Sequence, residues 1–188
     1  KLLFTMFSDP LLAFSSDGSR VAGAEFFDDP PEGDIIIAAA DSGSPILIFP
    51  YDRPVSSIGF SPNGNSLFTV SVDEGTLTSE VVLWDARSGD RRWTIAYDQP
   101  LTWAGFNADG SRLGAANLDE FVWAGPSREA VVWDTASGEV ALTFSFETTA
   151  GITIDRDGTR VAAIQNGAPR VWSIASGQEL LTLPAVVS

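Results

Sequence analysis

One phrase recurs four times along this chain: an apolar run, a glycine turn, a second apolar run, a third run, and then Ser-Gly. The turn glycines are Gly18, Gly64, Gly110 and Gly158, spaced 46, 46 and 48 residues apart. The Ser-Gly glycines are Gly43, Gly89, Gly138 and Gly177, spaced 46, 49 and 39. A period in the forties, built from short strands, is the signature of β-sheet blades stacked one on the next. The fold class is therefore all-β.

Blade 2 shows the grammar most clearly. Val55 to Phe60 is a first strand, apolar on both faces. Ser61-Pro62-Asn63-Gly64-Asn65 then turns the chain, because Pro presets φ and Asn-Gly supplies the left-handed positions of a tight hairpin. Ser66 to Val72 is the second strand, Asp73-Glu74-Gly75 opens a loop, and Glu80 to Asp85 is the third strand. Arg87-Ser88-Gly89-Asp90 makes the next turn, and Arg91 to Tyr97 is the fourth strand. In that last strand Trp93, Ile95 and Tyr97 alternate with polar neighbours, which marks a half-exposed outer strand; continuous apolar runs mark inner strands.

The other repeats carry Ser16-Asp17-Gly18-Ser19, Ala108-Asp109-Gly110-Ser111 and Arg156-Asp157-Gly158-Thr159 at the first turn. Five residues before each Ser-Gly glycine stand Ala38, Trp84, Trp133 and Trp172, followed by Ala39, Asp85, Asp134 and Ser173. This pattern resembles the WD-repeat (WD40) family of β-propellers. Phe60-Ser61-Pro62-Asn63-Gly64, Val82-Leu83-Trp84-Asp85, Val132-Trp133-Asp134 and Val171-Trp172-Ser173 carry the resemblance over nearly the whole chain. The sequence also departs from the family: it has no His, so the family's Asp–His–Ser–Trp network cannot form in its usual version, and blade 1 lacks the Trp-Asp pair. Such degenerate repeats resemble those of bacterial members.

The resemblance divides the chain into blades at 9–52, 53–98, 99–147 and 148–188, each of four strands. Residues 1–8 are left over. Leu2-Leu3-Phe4-Thr5-Met6-Phe7 precedes a first strand (Leu11 to Phe14) as Ile46 to Tyr51 precedes the next, so it reads as the outer strand of a preceding blade. Blade 4 already brings its own outer strand, Glu179 to Leu183. Four whole blades plus one strand describe a portion of a larger ring, seven- or eight-bladed, completed by missing sequence, a second polypeptide or another copy. A compact four-bladed ring with an outward-packed N-terminal strand is the alternative.

Composition removes several functions. The chain has 188 residues, 44% of them hydrophobic, with 12 Phe and 6 Trp, enough for a packed β core. Without Cys or His there is no thiolate or Ser-His-Asp chemistry and no zinc or copper site of ordinary type, and no cofactor is expected. Ser-Lys chemistry has only Lys1 to work with. A net charge of −14, from 25 acidic and 11 basic residues, repels nucleic acid and anionic membranes. No apolar stretch approaches the ~20 residues of a membrane helix. The chain begins at Lys1 with no signal-like segment, so a processed product or a piece of a longer protein, in the cytoplasm, is expected.

In a WD-type propeller the loops joining strands two to three, and those between blades, emerge on one face. The resemblance puts Asp9, Asp28, Asp29, Glu32, Asp34, Asp52, Asp73, Glu74, Asp98, Asp119, Glu120 and Glu147 there, 12 of the 25 acids, against mainly Arg53, Arg128 and Arg170. The opposite face mixes Arg20, Arg87, Arg91, Arg92, Arg112, Arg156 and Arg160 with a similar number of acids, including Glu179. Two of the loops on the acidic face carry aromatics: Phe26-Phe27-Asp28-Asp29-Pro30-Pro31, and Asn117 to Pro126 with Phe121, Val122 and Trp123. Aromatics beside acids are the composition of protein-binding hot spots. They are equally the composition of a solvated rim or of residues that cap the core.

The expected function is a non-catalytic interaction scaffold that binds a protein with a basic surface through Asp28, Asp29, Asp73, Glu74, Asp119, Glu120, Phe121 and Trp123. Trp84, Trp133 and Trp172 are expected to pack between blades, and Asp85 and Asp134 to interact with nearby turns or Arg side chains. Asp17, Asn63, Asp109 and Asp157 are expected to set the first turns. Two competing readings stand: an enzyme or glycan-binding propeller with paired carboxylates in its central channel, and a sensor module of a larger signalling protein. Asp155-Arg156-Asp157-Gly158 opens like a calcium loop, but it aligns with the other hairpin turns and no later acids complete it.

Overall fold

The computed structural model describes residues 11–28, 31–73, 75–117, 128–146, 152–165 and 167–184. The leftover segment 1–8 lies outside them. Blade 1 consists of β1 (Leu12–Phe14), β2 (Arg20–Asp28), β3 (Pro31–Ala39) and β4 (Pro45–Tyr51). Blade 2 is β5 (Val55–Phe60), β6 (Ser66–Asp73), β7 (Thr78–Asp85) and β8 (Arg91–Tyr97). Blade 3 is β9 (Trp103–Phe106), β10 (Arg112–Ala116), β11 (Arg128–Asp134) and β12 (Val140–Phe146). Blade 4 is β13 (Ile152–Ile154), β14 (Arg160–Gln165), β15 (Ala168–Ser173) and β16 (Glu179–Thr182). Each blade is one antiparallel sheet whose strands lie side by side in chain order. No helix of the described residues is long and apolar enough to cross a membrane.

The eight repeat glycines hold φ between +67° and +78°, a region that L side chains rarely adopt. At Gly64 and Gly158 space also demands glycine. A Cβ there would meet Arg20 Nη2 at 2.4 Å and Arg112 Cγ at 2.6 Å, each reaching over from the blade before.

A β-bulge sits between the third and fourth strands of every blade, at Ile37/Ala38, Leu83/Trp84, Val132/Trp133 and Val171/Trp172. The extra residue bends the outer strand into the Ser-Gly turn and leaves the residue after the bulge opposite the first position of that strand.

The chain forms two units, Lys1–Asp98 and Gln99–Ser188. In the first, Ile35, Ile37, Phe49 and Tyr51 of blade 1 form one core with Leu67, Val82 and Trp84 of blade 2, and Leu47, Ile58 and Phe60 pack against it. Trp84 meets the Phe49 ring at 5.0 Å and the Tyr51 ring edge-on at 5.5 Å. In the second, Ala116, Ala130 and Val132 of blade 3 pack with Ile152, Val161, Ala163 and Trp172 of blade 4, and the Trp172 ring stacks on Phe144 at 5.2 Å. Trp133 is fully buried. These aromatic contacts add to the area each ring removes from water.

One expected loop is a hairpin instead. Phe26, Phe27 and Asp28 belong to β2, and the ladder runs on to Asp28 opposite Pro31. Pro31 is tolerated because it is the first residue of β3, where its missing N–H disturbs the ladder least.

Candidate functional site

The strand two-to-three end of the first unit holds the described part of the expected docking face. Asp73 closes the β6–β7 connection: its Oδ1 accepts the N–H groups of Gly75 and Thr76 at 2.9 and 3.0 Å. Its carbonyl accepts the N–H of Leu77, which stands at φ +55°. Thr76 and then Gly75, donating through their backbone, hold the Asp73 carboxyl below its usual range. The result is an exposed carboxylate whose position is fixed by its own turn.

Beside it lies a polar chain that begins on the outer strand of blade 1. The alternation of β4 points Leu47, Phe49 and Tyr51 to the blade 2 side. The Tyr51 hydroxyl meets Ser71 Oγ at 2.7 Å and donates to Glu80 Oε1 at 3.3 Å. Glu80 Oε1 lies 3.6 Å from Arg53 Nε. Burial pushes the Tyr51 phenol above its ordinary value. The Arg91 guanidinium sits 4.9 Å from the Trp84 ring centre and 5.7 Å from that of Tyr51. Among the described residues, Gly33, Pro50, Tyr51, Asp52 and Arg91 line an open cleft of about 280 Å³.

The division of charges into two faces needs correcting at the outer strands. Arg91 Nη2 comes within 3.9 Å of Asp52 Oδ1, although the repeat frame assigned them to opposite faces. Arg170 Nη1 likewise pairs with Glu179 Oε2 at 2.8 Å. An arginine side chain lying along a sheet spans about two residues of strand rise, so it carries charge from one end of a blade towards the other.

On the other ends of the blades, carboxylates and amides organise the turns. Asp17 Oδ1 accepts from Ser15 Oγ at 2.6 Å and Ser19 N at 3.0 Å. Ser15 and then Ser19 bring its pKa down to about 2. Asn63 and Asp109 serve the same way towards Asn65 and Ser111. In blade 4 the closing carboxylate is Asp155, which accepts from Thr159 N and Arg160 N at 2.8 and 2.9 Å, in place of the expected Asp157. Asp85 accepts Arg92 Nη2 at 2.6 Å and Arg87 N at 2.9 Å. Asp134 pairs with Arg112 and accepts Ala136 N and Ser137 N, both at 3.0 Å.

Of the expected docking residues, the structure places Asp28 at the end of β2 and Asp73 at the end of β6. Asp29, Glu74, Asp119, Glu120, Phe121 and Trp123 lie outside the described residues. The sequence reading missed the joining of Tyr51, Ser71, Glu80 and Arg53. The signal was present: period-two alternation in β4 puts Tyr51 on the same side as Phe49, and the register sets Ser71 opposite Glu80.

The chain is similar in fold to several solved structures. Hydrazine synthase of Kuenenia stuttgartiensis superposes with a TM-score of 0.66 at 17% identity over 94% of this chain and 54% of that one. The RRP9 WD40 repeats give 0.65 at 17% identity over 96% and 52%. The β-propeller domain of the Trilobed protease from Pyrococcus furiosus, described as having an open velcro topology, gives 0.64 at 16% identity over 95% and 57%. The chain therefore spans about half the length of these structures. No family model matches it, and no curated protein matches it. The four antiparallel blades and these likenesses, WD40 repeat structures among them, show a β-propeller fold.

Proposed function

We propose that this chain is a non-catalytic docking scaffold whose partner is a protein with a basic surface. The observation that carries the reading is Asp73, an exposed carboxylate fixed by its own hairpin on a chain of net charge −14. Nearby Arg53 lies 3.6 Å from Glu80 and also acts on Asp73 through its charge. A prepositioned acid of this kind favours fast, salt-sensitive association with a cationic surface. Further blades, from a second copy or from elsewhere in a longer polypeptide, complete the ring. The test is calorimetric titration with a Lys/Arg-rich peptide. Affinity should fall about tenfold as salt rises from low to well above physiological strength, as expected for screened contacts. Asp73→Asn should weaken binding and flatten that dependence. Affinity indifferent to both salt and Asp73→Asn would sink the reading.

A small-ligand reading has one observation in its favour, the cleft beside Tyr51, Asp52 and Arg91. Its aromatic ring, carboxylate and guanidinium are groups that can orient a polar ligand. Saccharide-induced shifts in the melting temperature, abolished by Tyr51→Phe or Arg91→Ala, would support it.

A further inference from the structure

Blades 1 and 4 each carry exposed apolar residues on the side away from their described cores. On blade 1, the register sets Leu12, Ile36 and Ile48 in one row and Phe14 and Val21 in the next, on the side away from the Trp84 core, with Gly23 and Ala38 buried between them. Phe14 is 68% exposed, Ile48 53% and Leu12 51%. On blade 4, Val171 stands opposite Leu181, and the N–H of Leu183 bonds to the Pro169 carbonyl beyond it. These lie on the side away from the Trp172 core, with Leu181 and Leu183 50% and 44% exposed. Isolated exposed apolar residues need no explanation, but contiguous rows of them on a sheet face mark an interaction site.

We propose that these two faces are the halves of one joint and engage head to tail between two copies of this chain. The inference rests on the reading that further blades complete the ring, and commits to a second copy as their source. The joints inside the chain supply the template. Leu47 and Phe49 of blade 1 lie against Ile58, Phe60, Leu67, Val82 and Trp84 of blade 2. Leu142 and Phe144 of blade 3 lie in the same way against Ile152, Ile154, Val161 and Trp172 of blade 4. Counted from the bulge, Leu181 and Leu183 occupy the positions of Leu47 and Phe49. Leu12, Phe14, Val21 and Ile36 occupy those of Ile58, Phe60, Leu67 and Val82. One terminal face thus carries inserting residues of the joint, and the other carries receiving ones, with Ala38 at the position of Trp84. Two copies also supply the length of one of the solved propellers, of which a single chain covers 52–57%. A head-to-tail contact that closes after two copies gives a dimer with two identical joints.

Sedimentation velocity across a concentration series tests this. The chain should run at twice its 20.0 kDa mass. Phe14→Lys and Leu181→Glu should each run as monomers, because either change spoils both joints. Mixing the two variants should restore the dimer, since the mixed pair has one native joint and one with lysine facing glutamate. Both positions are exposed, and circular dichroism confirms that the variants fold; Leu12→Lys and Leu183→Glu provide a second pair. Wild type at 20 kDa throughout, as when the missing blades belong to a longer polypeptide, overturns the proposal. So does a mixture that stays monomeric, or a mass that keeps growing past the dimer. The basic-peptide titration repeated on the monomeric variants separates this from the docking reading, which fails only if the peptide no longer binds in a salt-dependent way.

Discussion

The joint between blades 1 and 2 and the joint between blades 3 and 4 come from the same repeat but are built differently. In the first, Trp84 is clamped by Phe49, Tyr51 and Arg91, and its indole N–H donates to Thr69 Oγ1 at 3.0 Å. Turn-to-turn hydrogen bonds from Ser16 to the Pro62 carbonyl and from Arg20 to the Gly64 carbonyl pin the same joint. In the second, the register position of Thr69 is Ala163, and Trp172 has the Phe144 ring stacked on it. Here close approach replaces the clamp. A Cβ on Gly114 would stand 2.9 Å from Ile154 Cδ1, and Ala116 and Ala130 add little bulk. One turn-to-turn bond, Asn107 to the Arg156 carbonyl at 3.0 Å, serves it. The lesson is that the repeat prescribes where blades meet, while local residues decide whether rings and hydroxyls or small side chains hold them together.

Trp84→Ala should be the most damaging change, costing about 3–5 kcal/mol in urea unfolding, with Trp172→Ala nearer the lower end of that range. Equal losses, or a larger one at Trp172, would break the distinction between the joints. Gly114→Val should cost about 1–3 kcal/mol by overpacking against Ile154. A neutral result would mean that the second joint is not closely packed. Thr69→Val should cost about 1–2 kcal/mol, because it removes the acceptor of a buried indole N–H. It makes the first joint resemble the second, so the gap between the two Trp→Ala effects should narrow.

The smallest effect concerns pH. Donors from Ser15 and Ser19 lower Asp17 from 3.8 to about 2, Arg92 lowers Asp85, and Ser111 lowers Asp109. A carboxylate with a depressed folded pKa contributes stability that is complete above its unfolded value and is lost as pH falls through the folded one. Acid unfolding should therefore steepen between about pH 4 and 2. Asp85→Asn should flatten the profile slightly; an unchanged profile would mean that the Arg92 contact is screened away.

The strands and turns were legible because glycine at a left-handed φ and period-two alternation are local properties. The tryptophan positions followed from the same ruler. The bulges were not legible, since they arise from the fit between strands. The hairpin from Asp28 to Pro31 was misread because Pro and acids look like a loop, yet a strand can begin on Pro. The Asp52–Arg91 and Arg170–Glu179 pairs were missed because side-chain reach, which a repeat frame ignores, carried charges between faces. At the candidate site the turn at Asp73 was legible in the sequence, whereas the Tyr51–Ser71–Glu80 chain needs β4 of blade 1 to be packed against β6 and β7 of blade 2.

Hydroxyl-radical footprinting with mass spectrometry, run at low and high protein concentration, tests the account most directly. Trp84 and Trp172, 2% and 8% exposed, should be protected at both concentrations. Phe14 and Leu181 should be labelled when dilute and protected when concentrated. Labelling of Trp84 at the rate of an open side chain would contradict the joints, and concentration-independent labelling of Phe14 and Leu181 would contradict the second copy.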